Sequence, residues 1–248
     1  FQYVHGFRSP PPEDVNIGLE VPLFNIRAIP NPDLRPETSD GFETGLRLTG
    51  SPVALTASVF LTEYGDFIES KVNLGVDPAT GVTLFQSQNV AEARIYGAEF
   101  DARVDVSAWS PRLAGWSGRL AGSWIRGDDL TRDVPLNSID PPRLVLGMRY
   151  DAPSTRWGSE LALTAVEAQR EVDRSRADLY RTDGYATLDW LANVNITPRL
   201  RLNIGLFNLT DTEYIEWSDV RGRVADDPLV PYYTRAGFNA SASLRYDF

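Results

Sequence analysis

The stretch Phe238–Phe248 reads FNASASLRYDF and alternates between two kinds of side chain. The even positions are apolar and comprise Phe238, Ala240, Ala242, Leu244, Tyr246 and Phe248. The odd positions are small, polar or charged and comprise Asn239, Ser241, Ser243, Arg245 and Asp247. Because successive side chains of a β-strand point to opposite faces, this period of two predicts a strand with one apolar face.

The same alternation recurs along the chain in about ten segments. In Tyr96–Val106, every second residue is apolar, and the residues between them are Gly97, Glu99, Asp101, Arg103 and Asp105. Four charged side chains on one face are costly to bury in a dry core, whereas a water-filled lumen accommodates them. We therefore expect strands with a lipid face and a lumen face.

Soluble β-sandwiches and solenoids also contain alternating strands and are the alternative fold class. Several of the segments are about twice the usual strand length of about 5 to 6 residues, which sandwiches rarely sustain. Strand length therefore favours a membrane barrel.

The connections between the segments alternate in length. Short turns are expected near residues 50, 110, 154 and 197, and long polar loops at 9–36, 73–82, 128–141, 172–183 and 216–231. Outer-membrane barrels have short periplasmic turns and long external loops. The pattern predicts an all-β, antiparallel transmembrane barrel segment of about ten strands.

Aromatic residues lie near the short turns and share the apolar parity of their strands. They are Trp116, Tyr150, Trp157, Tyr246 and Phe248. Aromatic side chains are enriched at membrane interfaces, so these residues predict a girdle at the periplasmic interface.

Composition excludes several functions. The sequence has no Cys, one His and a formal net charge of -10. A disulfide framework and a thiolate metal site are impossible, and nucleic acid is disfavoured as a partner because no basic stripe is present. Gly115–Gly118 reads GWSG and lacks the spacing of a nucleophile elbow. We expect no enzyme, no resident metal and no intrinsic cofactor.

Two motifs resemble those of a known family. FRSPPPEDVN at Phe7–Asn16 and NPDLRPETSDGFETGLR at Asn31–Arg47 resemble the paired FRAP and NPNL boxes of TonB-dependent haem and haemoglobin receptors. Further similar stretches are Ala93–Ala102, Pro135–Asp151, Gly205–Tyr214, Trp217–Gly222 and the terminal strand, whose final Phe resembles the end of bacterial outer-membrane barrels.

The resemblance implies a receptor in the bacterial outer membrane that imports haem, haemoprotein-derived haem or another ferric chelate, energised by the TonB complex. It also implies a plugged barrel of about 22 strands, of which residues 1–248 are the C-terminal portion, with the plug domain and N-terminal strands lying outside. Outer-membrane lipid and lipopolysaccharide are the expected surroundings, and a monomer is the expected state. A ferric-siderophore receptor and a passive, porin-like barrel are the alternatives.

The resemblance places ligand-binding residues in the two boxes that flank the first long loop. They are Phe7, Arg8, Pro10, Asn31, Pro32 and Leu34. The receptors that this pattern resembles carry a histidine between the boxes, where an imidazole can ligate haem iron. This sequence has none there, and its only histidine, His5, precedes the first box. His5 is either a ligand or, as we favour, a strand histidine that faces the lumen or is satisfied by a neighbour.

Arginines in or beside the long loops are a second set of candidates, since guanidinium groups bind carboxylates. They are Arg27, Arg35, Arg126, Arg132, Arg170, Arg174, Arg176 and Arg181. Contacts to lipopolysaccharide phosphates, or simple solvation, are the alternative roles.

Overall fold

The computed structural model describes residues 1–248 and consists mainly of one β-sheet. The strands are β1 (Gln2–Arg8), β2 (Leu19–Val21), β3 (Ile26–Ala28), β4 (Glu37–Leu48), β5 (Val53–Val76), β6 (Thr83–Asp105), β7 (Trp116–Asp129), β8 (Val134–Pro135), β9 (Arg143–Asp151), β10 (Trp157–Val166), β11 (Tyr185–Thr197), β12 (Leu200–Phe207) and β13 (Asn239–Tyr246). Two short α-helices, α1 (Pro12–Asn16) and α2 (Trp217–Val220), lie in the connections. Single 3-10 turns occupy Pro22–Phe24, Val106–Ala108, Pro111–Leu113 and Val230–Tyr233. None of the helices has the length and apolar character needed to span a membrane.

Ten strands form one continuous antiparallel path, in the order β1-β4-β5-β6-β7-β9-β10-β11-β12-β13. This confirms the predicted antiparallel all-β architecture of about ten strands. β1 and β13 lie at the two edges of the path and do not pair with each other, so the sheet is an open part of a barrel. The alternating stretch at Phe238–Phe248 forms β13, as predicted.

One face of the sheet is apolar over its middle, and we call it the apolar face. Paired residues form an unbroken apolar row across six strands. The row consists of Leu55, Ala102, Leu120, Leu146, Leu163 and Leu188. Leu146 is 52% exposed and Leu163 39% exposed, because no protein layer covers this face. Such a surface requires an apolar solvent.

The opposite face, which we call the polar face, carries charged side chains that pair with one another. Arg119 donates to Asp101 over 2.6 Å on the neighbouring strand, and Arg149 contacts both Asp151 at 2.6 Å and Glu160 at 3.4 Å. Lateral pairing of this kind keeps the charges solvated and neutralised at a wet surface. The predicted division into an apolar and a polar face is therefore correct.

The predicted aromatic girdle is present at the end with the short turns. The ring centroids of Trp116 and Tyr150 are 5.1 Å apart, and those of Tyr150 and Trp157 are also 5.1 Å apart. At the edge strand, Tyr246 and Phe248 are 5.2 Å apart. β7, β9 and β10 thus present a continuous aromatic strip at the level where the girdle is expected, and the end of β13 carries a further aromatic pair.

The alternation of short and long connections fails at one hairpin. Residues 73–76, predicted to be in a long loop, continue β5, and Val76 pairs with Thr83 across a connection of only residues 77–82. The turn between β6 and β7, residues 106–115, is longer than this external one. Backbone hydrogen bonds to the neighbouring strand hold these polar residues in β5. Both faces of the strand meet water there, so the side chains do not alternate between apolar and polar and do not predict a strand.

The Pro-rich stretch 9–36, predicted to be a long polar loop, contains α1 and a small hairpin. β2 pairs with β3, and β3 adds in parallel to the outer end of β6, where Ile26 pairs with Thr83. Pro22 and Pro30 lie just outside the paired residues of β2 and β3. Sheets tolerate proline at such positions, because no interstrand hydrogen bond is needed from its nitrogen.

Candidate functional site at the external loops

The long connections pack together into one body beyond the sheet, which we call the roof. It consists of residues 9–36, 130–142, 167–184 and 208–238, together with the outer ends of β5 and β6. Its apolar core is formed by Val172, Leu179, Trp217, Val220 and Val230, which come from two loops. Trp217 is 2% exposed, and its Nε1 donates to the carbonyl oxygen of Asn137 over 2.9 Å in a third loop. The roof is therefore held by burial and by hydrogen bonds between loops.

A buried carboxylate joins β5 to the β8–β9 loop. Oε1 of Glu69 accepts from the Ser138 backbone N–H over 3.1 Å, and Oε2 accepts from the Ser138 hydroxyl over 3.0 Å. Arg221, from the last loop, donates to the Ser138 carbonyl over 3.2 Å. Burial raises the pKa of the Glu69 carboxyl, against the opposing effects of the Ser138 hydrogen bonds and of Arg221.

A second network holds the connection between β7 and β9 against the β10–β11 loop. Arg132 contacts the buried Asp129 and also Asp173, the latter over 2.9 Å. Asn137 donates to the Asp173 carbonyl and accepts from its backbone N–H over 2.7 Å. These contacts occupy Asp129, so it is not a free acid available to a cation.

The two sequence boxes meet at the base of the roof. Arg8, from the first box, contacts Glu37 over 2.9 Å, and Glu37 accepts from the Ile68 backbone N–H over 2.9 Å. Glu37 is 7% exposed. The pair therefore joins β1, β4 and β5 at the point where the first long loop leaves the sheet.

The second box docks on the neighbouring strand. Asn31 donates from Nδ2 to the Ser87 carbonyl of β6 over 2.9 Å, and its backbone N–H donates to the carbonyl of Asp14 in α1. Leu34 is buried, Pro10 is half-buried, and Pro32 is exposed. These contacts position the loop, while the assignment of the box residues to ligand binding stays a prediction.

Phe7 and His5 lie on the apolar face of β1, away from the polar face. Nδ1 of His5 is 2.9 Å from Asp40, which also accepts from the Tyr3 hydroxyl over 2.6 Å. Tyr3 in turn contacts Phe42 of the apolar face, with ring centroids 5.1 Å apart. His5 thus has a carboxylate partner, as we favoured, but it does not face the lumen side. The sequence carried this signal, because His5 shares the odd positions of β1 with Tyr3 and Phe7.

Most of the candidate loop arginines are already paired. Salt bridges join Arg27 to Glu20, Arg35 to Asp66, Arg126 to Glu171, Arg132 to Asp129 and Asp173, and Arg174 to Asp178. Arg176 donates to Gln88 instead, over 3.1 Å. Arg170 and Arg181 are exposed and have no salt bridge, so among these candidates they are the cations with free capacity for an anionic ligand.

A cavity of about 350 Å³ lies between the roof and the polar face of the sheet. Its walls come from four strands and its cover from three loops. The lining consists of Ser123, Ile125, Ser138, Ile139, Asp140, Pro141, Arg143, Val166, Thr182, Tyr185, Glu216, Trp217 and Ser218. Tyr185 stacks on Tyr214, with ring centroids 4.1 Å apart. Burial raises the pKa of the Asp140 carboxyl, and Arg221 opposes this effect.

This lining combines apolar and aromatic side chains with a larger number of polar and charged ones, so it offers a small molecule both apolar surface and hydrogen-bonding partners. Sequence reasoning did not identify the cavity, although two of the motifs noted above, Pro135–Asp151 and Trp217–Gly222, supply most of its cover. A hollow of about 530 Å³ at the opposite end of the polar face is lined by Arg103, Arg119, Arg149 and Glu160, whose charges pair along the sheet.

Comparison with known proteins agrees with this architecture. Residues 1–209 match the family model described as TonB dependent receptor-like, beta-barrel. The probable hemoglobin and hemoglobin-haptoglobin-binding protein 4 of Haemophilus influenzae is 27% identical over 260 residues, covering 96% of this chain and 26% of that protein. The hemoglobin-haptoglobin utilization protein B of Neisseria meningitidis is 29% identical over 248 residues. The match covers 89% of this chain and 30% of the Neisseria protein. The chain spans less than a third of the length of these relatives.

Solved structures show the same fold at low sequence identity. The copper transporter OprC superposes with a TM-score of 0.78 at 19% identity, covering 99% of this chain and 36% of that one. The ferric enterobactin receptor PfeA of Pseudomonas aeruginosa, in complex with enterobactin, superposes with a TM-score of 0.71 at 16% identity, covering 99% of this chain and 38% of that one. Together with the family match over most of the sequence, these findings show that the chain belongs to the TonB-dependent receptor-like β-barrels of the bacterial outer membrane.

Proposed function

We propose that this chain is part of an outer-membrane receptor that takes up an iron-containing ligand, namely haem or haem derived from a haemoprotein, with energy supplied through TonB. The observation that carries the proposal is the similarity over 89% to 96% of the chain to relatives named for hemoglobin binding or for hemoglobin-haptoglobin utilization. Neither name describes catalysis, which agrees with a non-enzymatic role.

The cavity beneath the roof supports a planar, partly apolar ligand. Tyr185 offers aromatic surface, and Arg143 offers a guanidinium to a carboxylate such as a propionate. Asp140 and Glu216 on the cover disfavour a second anionic group there. We propose that the box residues act by holding the first loop against β4 and β6, through the contacts of Arg8 and Asn31.

Iron ligation by the histidine of this chain is not part of the proposal. His5 lies on the apolar face and is occupied by Asp40, and the loop at 9–36 contains no histidine. We propose that these loops hold haem by aromatic and guanidinium contacts, and that any protein ligand to the iron comes from elsewhere in the receptor.

We further propose that the ten-strand path is the C-terminal portion of a plugged barrel of about 22 strands. The unpaired edges of β1 and β13, and the share of the relatives that the chain covers, support this arrangement. In this proposal the plug and the TonB-contacting segment are contributed by other parts of a monomeric receptor, with lipid and lipopolysaccharide around the apolar face.

The test is a titration of the full-length receptor with haem, monitored at the Soret band. We expect saturable binding with a Soret shift, and the same shift in the His5→Ala variant. Binding of a ferric siderophore without any Soret change would overturn the haem assignment in favour of the siderophore alternative. Uptake that persists without TonB would indicate a passive, porin-like barrel instead.

A further inference from the structure

The polar face of the sheet carries another recess beside the cavity beneath the roof. It has a volume of about 340 Å³, and we call it the middle hollow. The polar side chains of its lining are Thr56, Ser58, Glu99, Asp101, Ser123 and Arg143. Ser123 and Arg143 also line the cavity, so the two recesses share part of one wall.

The middle hollow lies between the cavity and the end of the sheet with the short turns. On β7, the cavity contacts Ser123 and Ile125, whereas the hollow contacts Ala121 and Ser123. β7 begins at Trp116 in the aromatic girdle, so Ala121 is nearer to that end than Ile125. A ligand that leaves the cavity in this direction therefore meets the middle hollow next.

Arg143 is at the centre of a row of paired residues on neighbouring strands. The row consists of Glu99, Ser123, Arg143, Val166 and Tyr185, on β6, β7, β9, β10 and β11. Because neighbouring strands are about 4.8 Å apart, the backbones of Glu99 and Tyr185 lie about 10 Å from that of Arg143, on opposite sides. Glu99 lines the middle hollow and Tyr185 lines the cavity, so one central guanidinium borders both recesses.

Arg143 differs from the other arginines nearby because no carboxylate neutralises it. It is exposed, and its guanidinium takes part in no salt bridge and no hydrogen bond within the chain. Its neighbours are occupied: Arg103 and Arg119 pair with Asp101, and Arg149 pairs with Asp151 and Glu160. Arg143 therefore keeps its full capacity for a bidentate contact to the carboxylate of a ligand.

The two recesses differ in what they offer beside this cation. Val166 and Tyr185 give the cavity an apolar side, whereas Ser58 and Ser123 give the middle hollow hydroxyl groups. Glu99 is exposed and has no salt bridge, so it repels a second anionic group at the far side of the hollow. The hollow thus suits a ligand that carries its carboxylates on one edge, as haem carries its propionates.

We propose that the middle hollow is a second binding site for the carboxylate edge of the ligand, and that Arg143 holds this edge first in the cavity and then in the hollow. The inference rests on the proposed function and extends it, because it assigns the next position of the ligand after the cavity. The carboxylate keeps its cation during the transfer, which avoids the cost of an unpaired charge against the wall. In the recess of about 530 Å³ beyond the hollow, the arginines are already neutralised, which favours release there.

The test uses the full-length receptor, with haem as the probe. Soret titration in detergent measures affinity, and haem accumulation by cells that express the receptor measures the rate of uptake. Thr56→Trp fills the middle hollow from an exposed position that does not line the cavity. We expect wild-type affinity and an uptake rate that is lower by at least about tenfold. Ser241→Trp, at an exposed position of the polar face outside both recesses, is the matched control and should change neither property.

A second variant tests the shared cation. Arg143→Gln removes a charged hydrogen-bond donor from both recesses, so it should weaken haem binding by about tenfold or more and lower uptake as well. Arg201→Gln is its control, because Arg201 donates to Asn195, has no salt bridge and lines neither recess. This control should bind and take up haem as the wild type does.

The outcomes separate this inference from the proposed function. If Thr56→Trp takes up haem at the wild-type rate, loses affinity as much as uptake, or is matched by Ser241→Trp, the second site is wrong and the proposed function stands. Wild-type affinity in Arg143→Gln would refute the role of the shared cation. A wild type that binds no haem refutes the proposed function, and this inference with it. Retained heat-modifiable migration on a gel verifies that each variant is folded.

Discussion

Glu69 and Ser138 are 69 residues apart in the sequence, yet both carboxylate oxygens of Glu69 accept hydrogen bonds from Ser138. Glu69 lies in the outer part of β5, and Ser138 lies in the loop that covers the cavity. These hydrogen bonds attach the loop that covers the cavity to the long β5–β6 hairpin. The stability of this cover should therefore depend on the one buried carboxylate.

Replacing Glu69 with alanine should loosen the cover without unfolding the barrel. A hydrogen bond to a charged group contributes about 1.5–3 kcal/mol, so we expect the amide of Ser138 to lose roughly tenfold or more of its hydrogen-exchange protection. The measurement is amide exchange in the full-length receptor. Asp77→Ala, at the exposed end of the same hairpin, is the control and should leave Ser138 protected as in the wild type.

The cover should also respond to pH through Glu69. Its pKa is raised in the folded state, so its protonation-linked stability is fully present below its ordinary pKa of about 4.3 and is lost as pH rises through the raised value. Relative to Glu69→Gln, the wild-type cover should therefore gain stability as pH falls from about 7 to about 4.5. Exchange protection of residues 135–142 in both proteins provides the measurement. A difference between them that does not change with pH would contradict this assignment.

The Arg8–Glu37 pair should couple the two sequence boxes energetically. Glu37 is buried whereas Arg8 is half exposed, so removing Arg8 leaves a buried carboxylate without its partner. Each single alanine variant should therefore be destabilising, and the double-mutant cycle should show a coupling of about 1–2 kcal/mol. The exposed pair Arg245–Asp247 is the control, with a coupling expected near zero. Denaturant unfolding in detergent measures both cycles, and equal couplings in the two would contradict the buried role of Glu37.

Trp217 should stabilise the roof and not the barrel wall. Trp217→Ala removes a side chain that is 2% exposed, and about 3–5 kcal/mol is the usual cost of such a change. We expect proteolysis of the external loops to accelerate while heat-modifiable migration is retained. Trp109→Ala, at an exposed position in a turn on the opposite side, should alter neither property.

Adjacent residues of β9 should differ in their tolerance of charge. Leu146 lies on the lipid-facing row, where Arg costs about 2–4 kcal/mol near the bilayer midplane. Val145 lies on the polar face, so Val145→Arg should cost much less. Folding free energies in lipid vesicles compare the two variants, and similar costs would mean that the faces are assigned wrongly.

The sheet could be predicted from the sequence because period-two alternation is enforced wherever one face meets lipid. Leu144, Leu146 and Met148 carry this signal, and so do the aromatics Trp116 and Tyr150. The signal disappears above the membrane, where both faces of a strand meet water. This explains why residues 73–76 were predicted to be loop although they continue β5.

The site was much less predictable, because it is built from contacts between distant loops. The resemblance identified Arg8 and Asn31, but only the structure shows that they position the first loop on β4 and β6. No local sequence pattern predicts that Glu69 contacts Ser138 or that Trp217 contacts Asn137. Whether the box residues contact a ligand stays a prediction.

The cross-loop construction of the roof has an immunological consequence. Its outer surface is assembled from segments that are far apart in sequence, such as those that bring Phe24 beside Tyr233. Each segment is held in its conformation by the others. Antibodies that recognise this surface should therefore bind discontinuous epitopes. A synthetic peptide copied from any single loop should neither compete with such antibodies nor elicit them.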